Sequence, residues 1–464
     1  MSSSMNNISG KKISVIGAGI SGAGLARLAR RLGGRVFVSD EKKISDRSHL
    51  ELFKSCGIEW EENGHTPKIF DADLLLVGSG ISPKAWAVVE GARNEIPIMG
   101  ELDFIAPFLS GKIIGVTGSN GKSTTTTLTG HLLQKAGFSV EVTGNIGKSL
   151  ADSAFEQRDF LVVELSSFQL HWNTRFSCDL AMVTNLAPDH IDWHGSFEEY
   201  IKAKAKILST RKQGGFAIVQ ETERSMLWKN EMSSDYAVLP FLWKGTGFVQ
   251  GEALLADEKG GRVVFRDARG DEELLFSFDD VPLIGKHNME NAAFAAGAVR
   301  LLTEKKSGLG GLFSGFHGLA HRCEFVAKVR DVTFVDDSKG TNVAASATAL
   351  RSLPGPKIVI LGGQGKGEEY APLADAVKNE AIAAVILGEE KERIVAALRS
   401  AGFSNFFEAG TMEEAVYTAS RLAAPGSTVL LSPACTSWDM YPNYKKRGEH
   451  FRRLVLDLKE ARER

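Results

Sequence analysis

The sharpest chemistry in the chain is carried by Thr117-Gly-Ser-Asn-Gly-Lys-Ser123, which follows the apolar run Lys112-Ile-Ile-Gly-Val116. Successive backbone N–H groups ahead of a helix make a concave anion site. A lysine there meets terminal phosphates, and a serine hydroxyl can ligate Mg²⁺. The loop departs from the strict Walker spacing, since Val116 stands where the first glycine would fall and Gly118 supplies the flexibility instead. Downstream, Leu161-Val-Val163 ends in Glu164. That puts a carboxylate at the carboxyl end of a strand, where ligands collect in open α/β sheets and where an acid can hold Mg²⁺. Asp189-His-Ile-Asp-Trp-His194 sets two histidines four apart. On a helix this spacing suits zinc, but Pro188 and the aspartates point to a loop or helix start, and no third soft ligand is near. A phosphate- or magnesium-facing role for His190 is the better reading, beside that of a satisfied core histidine. The lysines of Tyr200-Ile-Lys-Ala-Lys-Ala-Lys206 fall on a helix starting at Phe197, and their spacing singles none out from an exposed basic face.

Another glycine loop, the first along the chain, lies nearer the N-terminus. Gly17, Gly19 and Gly22 match Gly-x-Gly-x-x-Gly after the apolar run 12–16, and Asp40 ends the next run. A tight turn facing a helix N-terminus brings backbone close to a diphosphate, and it names the diphosphate more firmly than any one nucleotide. A plain strand-to-helix turn is the alternative. Further polar or glycine-rich segments sit at the edges of apolar runs: Lys286-His-Asn-Met-Glu-Asn291, His321-Arg322, Asp336-Asp-Ser-Lys-Gly-Thr-Asn342, Gly362-Gly-Gln-Gly-Lys366 and Ser432-Pro-Ala-Cys-Thr-Ser437. Such loops often carry function, but taken singly each could equally be connection.

The elements that must hold these loops form an α/β pattern. Buried runs at 12–16, 35–38 and 73–77 alternate with helical stretches such as 23–32. A second series runs through 112–116, a helix to about 135, then 160–164 and 180–184. A third contains 332–335, 357–361, 383–387 and 427–431. Such alternation implies parallel sheets covered by helices, and the 464 residues are too many for one core. Three domains are expected: a Rossmann-like unit over 1–107, a P-loop-type unit over 108–310 and a second Rossmann-like unit over 311–464. The stretch 216–278 carries short alternating runs and reads as antiparallel. A formal net charge of −2 argues against a protein that chiefly grips nucleic acid. Cys56, Cys178, Cys323 and Cys435 form no Cys-x-x-Cys pair, which fits a reducing compartment. Residues 1–10 lack an apolar signal core, and no run reaches the ~20 apolar residues of a membrane span. A cytoplasmic location is expected.

Read in order, TGSNGKSTTT, GNIG, VELSSFQL, APDHIDWH, KHNMENAAFA, HRCE, DDSKGTN and LLSPACTSWDMYPNYKKRGEHF resemble the Mur ligases, and among them the D-glutamate-adding branch. The resemblance spans the chain from about Lys11. It implies an ATP-dependent amide ligase of cell-wall precursor synthesis, acting on UDP-N-acetylmuramoyl-L-alanine, D-glutamate and ATP, as a monomer. It places Gly19, Ile20, Ser21 and Gly22 near the UDP diphosphate, Asp40 near the uridine, and Asn145, Ser166 and Gln169 along the muramoyl-alanine channel. ATP would meet Gly118, Ser119, Asn120, Gly121, Lys122, Ser123, Thr124, Asn288 and Asn291, with Arg322 and Asp337 reaching it from the third domain. Ser123, Glu164 and His190 resemble a magnesium site. Lys204 matches the lysine that the family carbamylates, giving an oxygen ligand for a second Mg²⁺. Lys122, Lys204 and His190 would carry catalysis, and Thr341, Lys366, Ser437 and Tyr444 the D-glutamate pocket.

The chain departs from the family pattern at three places: Gln364 replaces an expected acid, Trp438 an aliphatic residue, and Ala320 a proline. The competing readings are a sister ligase adding another amino acid, a dinucleotide-dependent dehydrogenase resting on the first glycine loop alone, and a P-loop motor or regulatory ATPase.

Overall fold

The computed structural model describes residues 8–209, 212, 214–229, 237–247, 250–283 and 285–463. Most of the polar N-terminal segment, and parts of the stretch 216–278, therefore lie outside the described residues. The chain falls into two compact units, one within Met1–Asp280 and Asn291–Ser314, the other within Val281–Glu290 and Gly315–Arg464.

The first unit contains two sheets. One has five parallel strands in the order Glu59–Glu61, Arg35–Ser39, Lys12–Ile16, Leu74–Val77 and Ile98–Gly100. The central strand Lys12–Ile16 is apolar and buried on both faces, as a parallel strand covered by helices must be. The other sheet has nine strands. Val140–Gly144, Phe160–Glu164, Lys112–Thr117, Leu180–Val183, Phe216–Gln220, Ala237–Trp243 and Ala253–Asp257 run parallel. Arg262–Arg266 and Glu272–Ser277 then complete it antiparallel.

The expectation of an antiparallel stretch over 216–278 is thus half right. Phe216–Gln220 and Ala237–Trp243 extend the parallel sheet, because each is a continuous buried run and the helix Glu221–Lys229 lies between them in sequence. Among the described residues hairpins begin at Ala253, the first returning through a turn with Gly261 at φ 58.

The second unit holds a six-stranded sheet in the order Glu324–Val329, Val332–Asp336, Thr428–Leu431, Lys357–Leu361, Ala381–Ile386 and Phe406–Glu408. All pairs are parallel except the first. That hairpin turns through Arg330 and Asp331, both at positive φ, as a two-residue turn matched to strand twist requires. Core side chains from Val335, Val359, Leu361, Ile386 and Leu430 pack on one face, and Phe334, Ile358, Val385 and Phe451 on the other.

Candidate active site

The phosphate-type loop leaves the strand Lys112–Thr117 and enters the helix Lys122–Lys135. Gly118 and Gly121 sit at φ 140 and 81, which side-chain-bearing residues rarely adopt. A Cβ at Gly118 would collide with Thr184 Oγ1, and one at Gly121 with Asn291 Oδ1. The loop is clamped from the next strand end. Asn185 accepts the N–H of Asn120 on its side-chain oxygen at 2.9 Å and donates from Nδ2 to the carbonyl of Asn120 at 2.9 Å. Its own carbonyl takes the N–H of Ser119 at 2.8 Å. Lys122 Nζ donates to Gly118 O and Ser119 O, each at 2.8 Å, so its ammonium lies over the loop. Ser123 and Thr124 are buried in the first helical turn. Asn291 accepts from Thr125 Oγ1 at 3.0 Å, which puts it beside the loop.

Glu164 ends the strand Phe160–Glu164, in register with Val116 on one side and Gly144 on the other. Its carboxylate is buried. Oε1 accepts from Asn145 Nδ2 at 3.1 Å, while Oε2 has no hydrogen-bond partner among the described residues. The resemblance places Asn145 along the muramoyl-alanine channel, and its side chain also holds Glu164. Ser166 and Gln169 form a reciprocal capping box on the short helix Ser167–His171.

His190 occupies the left-handed region at φ 51 and opens the helix Ile191–His194. Its Nε2 is 3.7 Å from Asp189 Oδ2. His194 Nε2 lies 3.0 Å from Ser167 Oγ, and burial, then the neighbouring His171, pushes its ring pKa down to about 4. Lys204, on Phe197–Ser209, is buried to 1% exposure. Its Nζ donates to Gly118 O at 2.8 Å and lies 4.6 Å from the ring centre of Tyr200. Burial, then the like charge of Lys122, holds this amine well below the usual lysine range, against the opposing charges of Asp189 and Glu164. Lys122, Lys204, Glu164 and Asp189 therefore share one electrostatic neighbourhood.

In the first glycine loop, Gly17 is at φ 87 and a Cβ at Gly22 would collide with Gly17 O. Asp40 accepts the backbone N–H of Ala18 at 2.7 Å and of Lys42 at 2.8 Å, so it anchors the loop carrying Gly19 and Ile20.

Asn288, Arg322, Asp337, Thr341, Lys366, Ser437 and Tyr444 belong to the second unit. Asp337 accepts from Ser432 Oγ at 2.6 Å and from the Cys323 N–H at 3.2 Å, and burial lifts its pKa to about 7. The loops bearing Thr341, Lys366 and Ser437 are tied together. Thr436 and Gln364 exchange backbone hydrogen bonds at 2.8 and 3.1 Å. Arg447, 1% exposed, donates to Ser338 Oγ at 3.0 Å, Ser338 O at 2.9 Å, Cys435 O at 3.0 Å and Thr436 O at 3.0 Å. Lys339 Nζ lies 4.0 Å from the Tyr444 ring centre, and Trp438 is exposed.

Sequence reasoning passed over Asn185, Tyr200 and Arg447. Tyr200 precedes Lys204 by one helical turn, a spacing that puts both on one face. Its hydroxyl is 2.9 Å from Ser119 Oγ. For Asn185 the partners are backbone groups remote in sequence, and Arg447 joins backbone groups and the Ser338 hydroxyl from separate loops, which no local pattern reveals.

The MurD N-terminal domain family matches residues 12–86, the Mur ligase middle domain 116–299, and the Mur ligase glutamate ligase domain 321–435. The UDP-N-acetylmuramoylalanine–D-glutamate ligase of Christiangramia forsetii is 37% identical over 97% of this chain and 100% of its own length. The chain belongs to this ligase family. A second member, from Pelotomaculum thermopropionicum, is 36% identical over 97% of this chain and 98% of its own length. The family's fold is echoed in two solved Thermotoga maritima structures. The UDP-N-acetylmuramate–alanine ligase MurC has a TM-score of 0.59 at 19% identity, covering 96% of this chain and 99% of that one. The MurF ligase in complex with ADP has a TM-score of 0.59 at 18% identity, covering 92% and 95%. Three domains of Mur ligase architecture account for the three sheets. Among the described residues no helix is long and apolar enough to cross a membrane.

Proposed function

We propose that the protein is the ATP-dependent ligase that joins D-glutamate to UDP-N-acetylmuramoyl-L-alanine in peptidoglycan precursor synthesis, releasing ADP and phosphate. The observation that carries it is a buried carboxylate oxygen, Glu164 Oε2, left without a hydrogen-bond partner among the described residues, on the strand next to the phosphate-type loop. An unsatisfied buried anion is costly unless a cation or donor completes it. With the hydroxyl of Ser123 it offers the hard oxygen set that suits Mg²⁺. The choice of D-glutamate is supported by the near full-length likeness to D-glutamate ligases.

In this reading the carboxylate of the alanyl group attacks the γ-phosphorus of ATP, giving an acyl phosphate and ADP. Lys122 meets the charge of the transferring phosphoryl group, and the backbone N–H groups of the loop orient it. Ser123, Glu164 and His190 would hold Mg²⁺, which would supply positive charge against the phosphates. Lys204 would carry a carbamate, which would serve a second ion. Its depressed pKa supports this, since CO₂ adds only to a neutral amine. Asn288, Asn291, Arg322 and Asp337 bind the nucleotide. The amine of D-glutamate, held through Thr341, Lys366, Ser437 and Tyr444, attacks the acyl carbon. The tetrahedral adduct loses the amine proton and expels phosphate. Gly19 to Gly22, Asp40, Asn145, Ser166 and Gln169 hold the UDP-linked substrate. The chain works as a cytoplasmic monomer, with domain limits at 107 and 310.

An oxygen label tests the chemistry. With ¹⁸O in the alanyl carboxylate, one labelled oxygen is expected in the released phosphate; unlabelled phosphate alongside conjugate would rule out the acyl phosphate.

A further inference from the structure

Glu101 is a buried acid that the reading above leaves unused. It begins the short helix Glu101–Ile105, after the last strand of the five-stranded sheet, and is 2% exposed. Its Oε2 accepts two hydrogen bonds, from Ser21 Oγ in the first glycine loop at 2.9 Å and from Gln169 Nε2 at 3.1 Å. Ser21 Oγ also lies 3.1 Å from Ser79 Oγ. The bond from Gln169 fixes the orientation of its amide. With Nε2 turned to Glu101, Oε1 faces Ser166 and accepts its backbone N–H at 3.0 Å. Glu101 therefore connects two segments far apart in sequence, the loop at Ser21 and the capped turn at Ser166–Gln169.

Among the described residues no charged group offsets this burial, and burial outweighs the two donors, so the carboxyl group is held above its ordinary range. A buried acid without a cationic partner costs stability that a neutral spacer would not. Such costs gather where geometry serves function. The surroundings are built for close contact. A Cβ at Gly100 would collide with Trp172, whose Nε1 donates to Ile81 O at 3.2 Å.

We propose that Glu101 is a positioning residue for the UDP-linked substrate, locking the loop at its diphosphate to the turn that lines its acyl arm. The proposal rests on the substrate reading above. Because both donors converge on one oxygen, a glutamine at 101 can accept both hydrogen bonds through its amide oxygen, whereas alanine accepts neither.

The test compares wild type, Glu101→Ala, Glu101→Gln and Ser21→Ala by calorimetric binding of UDP-N-acetylmuramoyl-L-alanine and of ATP, with KM and kcat for each substrate. Glu101→Ala is expected to weaken the UDP-linked substrate roughly tenfold, while ATP affinity and the KM for D-glutamate stay within about twofold. Glu101→Gln is expected to recover most of the loss, and Ser21→Ala to reproduce part of it. Retained ATP binding shows that the variants fold. Should Glu101→Ala fail to bind ATP, Ser21→Ala and Glu101→Gln decide. Equal losses for all substrates, or a UDP-substrate affinity unmoved in Glu101→Ala, would overturn the proposal while wild-type binding upholds the substrate reading. A wild type that does not bind UDP-N-acetylmuramoyl-L-alanine would overturn both.

Discussion

Lys204 Nζ donates to the carbonyl oxygen of Gly118 at 2.8 Å, linking a buried lysine to the first glycine of the phosphate-type loop. Its helix also brings Tyr200 to Ser119, so one helical face supports the loop at two successive residues. A basic side chain this deeply buried, beside Lys122 rather than paired to a carboxylate, is poorly explained as a solvated surface charge.

If the amine carries a carbamate in the working enzyme, Lys204→Ala loses a metal-facing oxygen. Turnover is expected to fall by at least the ~10² typical of one lost stabilising group. Enzyme equilibrated with ¹³C-bicarbonate should give a carbamate carbon resonance that is absent from the variant. Full activity in Lys204→Ala would return this lysine to a packing role.

Lys122→Ala removes the ammonium lying over Gly118 and Ser119. Phosphoryl transfer, followed as ADP release, is expected to drop by ~10² or more with folding intact. Near-normal turnover would contradict the assignment of this loop to ATP.

Asp337 gives a pH dependence with a definite sign. Its folded pKa is raised from 3.8 to about 7 by burial. The protonated acid is favoured in the fold, so its contribution is fully present below about pH 4 and is lost as pH climbs through about 7. Asp337→Asn cannot ionise. The Tm of the variant minus that of wild type is expected to grow more positive between those limits and then level off. A difference that stays flat with pH would contradict a buried, ionisable Asp337.

Arg447 holds four acceptors on two loops, and lysine cannot reach them all from one point. Arg447→Lys is expected to cost on the order of 3 kcal/mol in denaturant unfolding. The KM for D-glutamate should rise more than that for ATP. An unchanged unfolding midpoint would show that the clamp is dispensable.

The contiguous parts of this architecture could be read from the sequence, and those assembled from distant residues could not. The glycine loops and the strands feeding them were visible because strand, loop and helix follow one another along the chain; the helix Lys122–Lys135 ends where the pattern placed it. Glu164 was visible as a strand-end acid. The direction of Phe216–Gln220 and Ala237–Trp243 was missed, since short apolar runs read alike in parallel and antiparallel sheets. The clamps made by Asn185, Glu101 and Arg447 escaped because each side chain bonds to groups brought near only by folding. The wiring of Asn145 to Glu164 was hidden for the same reason.

The central claim is tested most directly by a product assay. The protein is supplied with ATP, Mg²⁺ and UDP-N-acetylmuramoyl-L-alanine, D- and L-amino acids are offered singly, and mass spectrometry identifies any conjugate. A D-glutamyl conjugate with matching phosphate release is the expected result. A conjugate with a different amino acid, or none from any of them, would contradict it.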